Sequence, residues 1–282
     1  MGSGQTGSGK TAWITGAGSG IGRALALGLA RRGAKLAVSD VNAEGLAGTV
    51  SLLGGTEVHD APLDVADRDA VHAYADAVAE HFGVVNQIYN NAGIAFSRTV
   101  AESEYADYER VFSINLWGVI HGTKAFLPHL IASGEGHVVN VSSLNGVMAQ
   151  AQMSHYCATK FAVRGFTESL GLELADAGHP VRTTSVHPGG IKTNIANAAF
   201  EDSKKLGLPV TADDEKRRQV YNEKLLKMSP DKAAEIILGA VEKNRPRVMV
   251  GNDARALDLL VRALPASWSK IVGPATKRLV GN

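Results

Sequence analysis

Apolar positions along the chain fall into short runs separated by longer stretches with helical spacing. The runs AWIT (Ala12 to Thr15), KLAVSD (Lys35 to Asp40), Glu57 to Leu63, Gln87 to Asn90, HVVNVS (His137 to Ser142), Val181 to His187 and RVMV (Arg247 to Val250) read as strands. Between them, Ile21 to Arg32, Ala43 to Leu53, Arg68 to Phe82, Tyr105 to Ile131 and Tyr156 to Ala177 carry apolar residues at helical intervals. Gly33 and Gly83 stand where two of these helices should stop. Short apolar strands alternating with helices predict an α/β fold: a three-layer, doubly wound parallel sheet covered on both faces. Sheets of this kind bind ligands beyond the C-terminal ends of their strands. No repeat or inter-domain linker interrupts the alternation, so one domain is expected. It runs over 10–251, with a flexible leader at 1–9 and a C-terminal helical extension at 252–282.

Composition narrows the function classes. The chain has 282 residues, 20% charged and 45% hydrophobic, with a net charge of +1. No broad positive field favours nucleic acid or an anionic membrane. Cys157 is the single cysteine, so no intrachain disulfide is possible, which suits a reducing compartment. No apolar run has the length of a transmembrane span. A cytoplasmic location is expected. The histidines show no metal-ligand spacing, and no metal is expected.

Two glycine-rich stretches compete as phosphate sites. Gly4 to Thr11 (GQTGSGKT) matches the phosphate-loop pattern of nucleotide triphosphatases. That loop needs a strand before it and a helix after it, whereas a strand follows Lys10. Thr15 to Gly22 (TGAGSGIG) follows a strand and opens a helix, as a dinucleotide pyrophosphate requires. Asp40 then stands at the end of the second strand. A carboxylate there accepts hydrogen bonds from the adenosine ribose of NAD and repels the 2′-phosphate of NADP.

With these motifs in order, the chain resembles the short-chain dehydrogenase/reductase family, from about Lys10 to Thr193. The resemblance rests on TGAGSGIG (15–22), Asp40, Asp64–Val65, NNAG (90–93), Asn115, VVNVSS (138–143), YCATK (156–160) and HPGGIKT (187–193). It implies a Rossmann-like fold and an NAD(H)-dependent oxidoreductase interconverting an alcohol and a ketone or aldehyde. Gly16, Ser19, Gly20, Ile21 and Gly22 are implied to line the pyrophosphate, and Asp40 to bind the ribose. Asp64 and Val65 are implied to flank the adenine, with Asn91, Ala92 and Gly93 along the adenosine side. Pro188, Gly189, Ile191 and Thr193 are implied to hold the nicotinamide end. Asn115, Ser143, Tyr156 and Lys160 correspond to the family's catalytic tetrad. The family's interval to the tyrosine selects Ser143 over Ser142.

The tetrad has a physical rationale. Tyr156 and Lys160 are one helical turn apart and share a face. A tyrosine with a pKa near 10 is a poor base at neutral pH; a nearby ammonium favours its phenolate, and so does the positive ring of oxidised nicotinamide. Ser143 would hold the substrate oxygen, and Asn115 would support a proton relay from Lys160.

The segment 194–228 stands where the family carries a lid over its substrate. Phe200, Leu206, Leu208, Val210, Tyr221 and Leu225 are its expected apolar lining, which favours an apolar or lipid-like alcohol. Ala256 to Ile271 is amphipathic and is expected to pack within the protein, with a subunit interface or a membrane surface as alternatives. His155 and His187 are candidates for the pocket border. Cys157 reads as a packed helical residue and Ala212 to Arg218 as a solvated face. A homodimer or homotetramer is implied. The alternative function is an NAD(H)-binding sensor or scaffold without turnover.

Overall fold

The computed structural model describes residues 9–205 and 212–280. The leader up to residue 8, most of the GQTGSGKT match, and Leu206, Leu208 and Val210 lie outside the described residues. The chain runs through β1 (Thr11–Thr15), α1 (Gly20–Ala30), β2 (Lys35–Asp40), α2 (Ala43–Leu52), β3 (Val58–Pro62), α3 (Arg68–Phe82) and β4 (Gln87–Asn90). It continues through α4 (Tyr105–Phe112), a π-helical turn (Ser113–Trp117), α5 (Gly118–Ala132), β5 (Gly136–Val141), a 3-10 turn (Leu144–Gly146), α6 (Ser154–Asp176) and β6 (Val181–Pro188). Then come α7 (Ile195–Lys205), α8 (Ala212–Val220), a second π-helical turn (Tyr221–Leu225), α9 (Pro230–Glu242), β7 (Arg247–Val250), α10 (Asn252–Ala263) and α11 (Trp268–Val280).

The strands form one seven-stranded sheet in the order β3-β2-β1-β4-β5-β6-β7. Every adjacent pair is parallel. This is the doubly wound sheet expected from the sequence. Alternation along β1 shows why its residues are apolar throughout. Ala12 and Ile14 face one core layer, with Leu25, Leu29, Ile237 and Leu238 of α1 and α9. Trp13 faces the other layer, with Val71 and Val78 of α3, Phe126 of α5 and Leu170 of α6. Trp13 stacks on Phe126 at 4.4 Å between ring centroids, and its Nε1 donates to Ser39 Oγ at 3.1 Å. Full burial of side chains this size contributes about 1.5–3 kcal/mol each.

Local signals set the helix ends. Asp67 and Asn42 accept hydrogen bonds from the N–H groups of Ala70 and Gly45, capping α3 and α2. Gly83, at φ +75°, ends α3. Helix α9 was not anticipated, although Ser229 caps it and Pro230 occupies its first turn. The extension beyond β7 packs inward. Asp258 of α10 is buried and pairs with Arg247 of β7 at 2.6 Å. Helix α10 also lies against the 3-10 turn after Ser143, and α11 against α8.

The polar interior concentrates at the C-terminal ends of the central strands. Asn90 Nδ2 donates to Asn140 Oδ1 (2.8 Å) and Thr123 Oγ1 (3.1 Å), and Asn140 Nδ2 donates to Thr167 Oγ1 (2.9 Å). This buried ladder ties β4 and β5 to helices on one face, just beneath the site described next.

Candidate active site

The glycine-rich turn joins β1 to α1. Gly16 has φ +65°, and a Cβ on Gly22 would lie 2.0 Å from the Gly16 carbonyl oxygen, so neither position admits a side chain. Ser19 precedes α1 in extended conformation, and its side chain makes no capping bond. The first N–H groups of α1 therefore open toward the C-terminal edge of the sheet with a partial positive charge. Asp40 closes the turn from the side: its carboxylate accepts from Gly18 N and Asn42 N, both at 2.8 Å. Arg23 lies below, donating to the Gly18 carbonyl and, at 3.0 Å, to the Gly45 carbonyl.

Thr15 is a residue the sequence reading passed over. Its hydroxyl accepts from Asn91 N and Ala92 N, each at 2.9 Å, and Asn91 Nδ2 donates back to the Thr15 carbonyl at 2.9 Å. The loop after β4 is thereby fixed to the loop after β1. A Cβ on Gly93 would be 3.1 Å from Asn115 Oδ1 and 3.4 Å from Lys160 Nζ, so Gly93 fronts the expected tetrad. Asp64 is exposed at the end of β3. Val65 is buried against Gly118, so its side chain faces the core.

Beyond β6, Gly190 N donates to Asp253 Oδ2 at 2.7 Å, an anchor from α10 that the sequence did not announce. Gly189 lies against the same carboxylate, where a Cβ would meet Asp253 Oδ2 at 2.3 Å, so Pro188 and Gly189 turn the chain out of β6 beneath α10. Ile191 is buried and bridges to Met228, drawing together the two ends of the α7–α8 segment. The Thr193 side chain sits 3.1 Å from where a Gly20 Cβ would be, beside the first turn of α1.

Four more side chains converge at the ends of β4 and β5. Lys160 Nζ donates to the Val141 carbonyl at 3.0 Å and lies 5.6 Å from the Tyr156 ring centroid. Ser142 donates to the Lys160 carbonyl at 2.7 Å, whereas Ser143 lies beside the Tyr156 phenol and accepts from Asn145 N at 3.1 Å. Asn115, buried in the first π-helical turn, accepts from Ile94 N (2.8 Å) and donates to the Ile94 carbonyl (2.9 Å). Both ends of its side chain are thus committed to the loop that carries Gly93.

Burial decides the charge states. It pushes the Tyr156 phenol up to about 12, with the Ser143 hydroxyl pulling the other way. Burial also lowers Lys160 to about 8. The lowering expected at Tyr156 counts both Lys160 and the oxidised nicotinamide ring; in the protein alone, desolvation raises the phenol.

His155 and His187 are both fully buried, not on a pocket border. His155 accepts from Tyr156 N at 3.0 Å and packs between Phe96 and Tyr108. Cys157 is buried, as a packed residue should be. In the α7–α8 segment, Phe200 is covered by Lys204 (4.6 Å) and Arg218 (4.7 Å), so it is not a bare apolar wall. Tyr221 hydrogen-bonds Gln150 on the loop between Ser143 and Tyr156, and its field also reaches the Tyr156 phenol. Asp202 of α7 pairs with Arg110 of α4 at 3.3 Å.

Comparison with known proteins follows the same lines. Residues 10–204 match the family model of the short chain dehydrogenases. A Mycobacterium tuberculosis protein named as the oxidoreductase SadH is 52% identical over 267 residues, covering 94% of each chain. Mouse epidermal retinol dehydrogenase 2 is 41% identical over 191 residues, covering 66% of this chain and 62% of its own. A crystal structure of a short-chain dehydrogenase/reductase from Burkholderia phymatum in complex with NAD superposes with a TM-score of 0.84. It is 32% identical, covering 92% of this chain and 95% of its own.

Proposed function

The chain belongs to the short-chain dehydrogenase family, and on that premise we propose that it interconverts an alcohol and a ketone or aldehyde with NAD(H), using Tyr156 as acid and base. The observation that carries this reading is the meeting of Lys160, Tyr156, Ser143 and Gly93 at the ends of β4 and β5.

The residues suit a dinucleotide. The open N-terminus of α1, with Gly16, Ser19, Gly20, Ile21 and Gly22, suits the pyrophosphate. The Asp40 carboxylate suits a ribose diol and disfavours a 2′-phosphate, which supports NAD over NADP. The space before Gly93, which a Cβ would fill, suits the nicotinamide ribose beside Lys160. Asp64, Asn91 and Ala92 would border the adenosine half, with Val65 shaping that wall from behind. Pro188, Gly189, Ile191 and Thr193 would border the other half. When bound, the cofactor supplies or accepts the hydride and, when oxidised, adds a positive charge.

The protein's own part is proton chemistry. In reduction, the neutral Tyr156 phenol donates its proton to the substrate oxygen while the Ser143 hydroxyl holds that oxygen. Lys160 returns a proton to Tyr156, and Asn115 fixes the loop against which Lys160 packs. In oxidation, forming the phenolate at pH 7 from a group titrating at about 12 requires about 7 kcal/mol of stabilisation. Positive charge at Lys160 contributes to it. The 194–228 segment acts as a lid over an apolar substrate, in line with the retinol relative. Trp117, Phe161 and Leu172, exposed on the π-helical turn and α6, support association into a dimer or tetramer. No described helix is long and apolar enough to cross a membrane. A cytoplasmic location is in line with the single cysteine, which suits a reducing compartment.

Apolar secondary alcohols and ketones assayed with NAD(H) test the reading. Turnover restricted to sugars and polyols removes the apolar substrate. Binding of NADH with no turnover of any alcohol or ketone favours the sensor or scaffold.

A further inference from the structure

His187 lies on β6, behind the residues of the proposed mechanism, and is fully buried. Its Nδ1 is 2.9 Å from the Ser143 carbonyl oxygen and its Nε2 is 2.9 Å from Ser185 Oγ. A carbonyl oxygen only accepts, so Nδ1 carries the proton. Nε2 then has only a lone pair, and the Ser185 hydroxyl donates to it. The chain Ser185 O–H to His187 Nε2, His187 Nδ1–H to Ser143 carbonyl, is thus fixed in direction at every step.

The Ser143 carbonyl has a second donor, Gly146 N at 2.9 Å, so both of its lone pairs are held. The Ser143 hydroxyl accepts from Asn145 N at 3.1 Å, which leaves its proton and a second lone pair directed by the backbone set beneath it. Burial lowers the His187 imidazole to about 4, so it stays neutral and keeps this one tautomer throughout the neutral range. A buried imidazole costs desolvation that an aliphatic side chain would avoid. What it provides in return is a rigid donor under Ser143.

We propose that His187 is a positioning residue: locked as the Nδ1–H tautomer by Ser185, it pins the Ser143 carbonyl and so aims the Ser143 hydroxyl at Tyr156 and the substrate oxygen. This rests on the role proposed above for Ser143.

Asparagine and glutamine separate positioning from packing, because the asparagine amide reaches the place of Nδ1 and the glutamine amide that of Nε2. The probes are NADH and NAD with whichever of cyclohexanol, phenylethanol and decan-2-ol the protein oxidises fastest. His187→Asn should keep kcat near that of the unmodified protein. His187→Gln should lower kcat about 10- to 100-fold, with KM and NADH affinity little changed, as a small misplacement at a reacting centre does. In a Ser143→Ala background, His187→Gln should cause no further loss. Long-range proton–nitrogen NMR of the unmodified protein should show His187 protonated at Nδ1 and bare at Nε2. Equal kcat in the two amide variants, an added loss in the Ser143→Ala background, or a proton on Nε2 would overturn the proposal. If Ser143→Ala itself turns over normally, the role given to Ser143 fails instead. The tautomer spectrum, which needs no variant, still decides whether His187 holds that carbonyl.

Discussion

Lys160 Nζ donates to the carbonyl of Val141 at 3.0 Å, so the last residue of β5 holds the lysine that faces Gly93. The lysine is almost wholly buried, and burial lowers it to about 8. It is charged below that pH and neutral above it. In the proposed mechanism ketone reduction draws its proton from the Tyr156–Lys160 pair, so it should hold steady at neutral pH and fall as the pH rises through about 8. A pH profile of kcat/KM with NADH checks this; a rate that climbs through the same range would contradict it.

Lys160→Arg tests geometry at constant charge. The guanidinium is planar and larger than an ammonium, and it cannot reproduce a point donor in a space bounded by Val141 and Gly93. Turnover should fall by about 100-fold, with a raised KM for NADH if the lysine also holds the ribose. Steady-state kinetics with both coenzyme and ketone varied separate the two effects.

Asp40 sets coenzyme choice in this account. Its carboxylate binds Gly18 N and Asn42 N, and Arg23 lies just beneath the same turn. Replacing Asp40 with serine removes the negative charge and leaves the cation. The ratio of kcat/KM for NADPH to that for NADH should rise at least about 10-fold, equivalent to about 1.4 kcal/mol. An unchanged ratio would mean that the carboxylate serves the turn alone.

Much of this was legible in the sequence, for definable reasons. A sheet covered on both faces writes its strands as apolar runs, and Gln87 to Asn90 and Arg247 to Val250 begin and end in the structure where the pattern put them. Helix α3 spans Arg68 to Phe82 as the pattern put it and ends at Gly83, and its N-cap Asp67 also acts locally. Residues that act through distant partners were not legible. Thr15 looks like an ordinary strand end until Asn91 and Ala92 are seen to donate to it. Asp253 lies far along the chain from Gly190, and nothing near it marks that contact. The Tyr156 phenol shows the same limit: helical spacing reveals the neighbouring lysine, but the desolvation that raises the phenol in the protein alone depends on what the whole fold packs around it. Over Phe200, read as apolar lining, lie Lys204, one turn on along α7, and Arg218 of α8; the first contact is local in sequence and only the second depends on the fold.

Three buried imidazoles, those of His137, His155 and His187, are held below their ordinary value by burial and give the fold an acid limit. Burial lowers both His137 and His187 to about 4, from an ordinary value of 6.5. Above 6.5 both are neutral folded or unfolded, and their full contribution is present. As the pH falls from 6.5 toward 4 the unfolded chain takes up protons that the folded one refuses, and stability is lost. The loss amounts to about 3 kcal/mol for each of His137 and His187 across that window. Denaturation midpoints should drop steadily on acidification, and less steeply in His187→Asn. Midpoints independent of pH in this range would contradict the assignment.

The central claim is that this chain moves hydride while Tyr156 moves the proton. Deuterium carried on the reactive position of NADH should appear on the carbinol carbon of the alcohol formed from an apolar ketone. In Tyr156→Phe the transfer should fall by about 100- to 10,000-fold while the variant still binds NADH as the unmodified protein does. Label in the product at an undiminished rate from Tyr156→Phe, or no label from the unmodified protein with any ketone, would contradict the account.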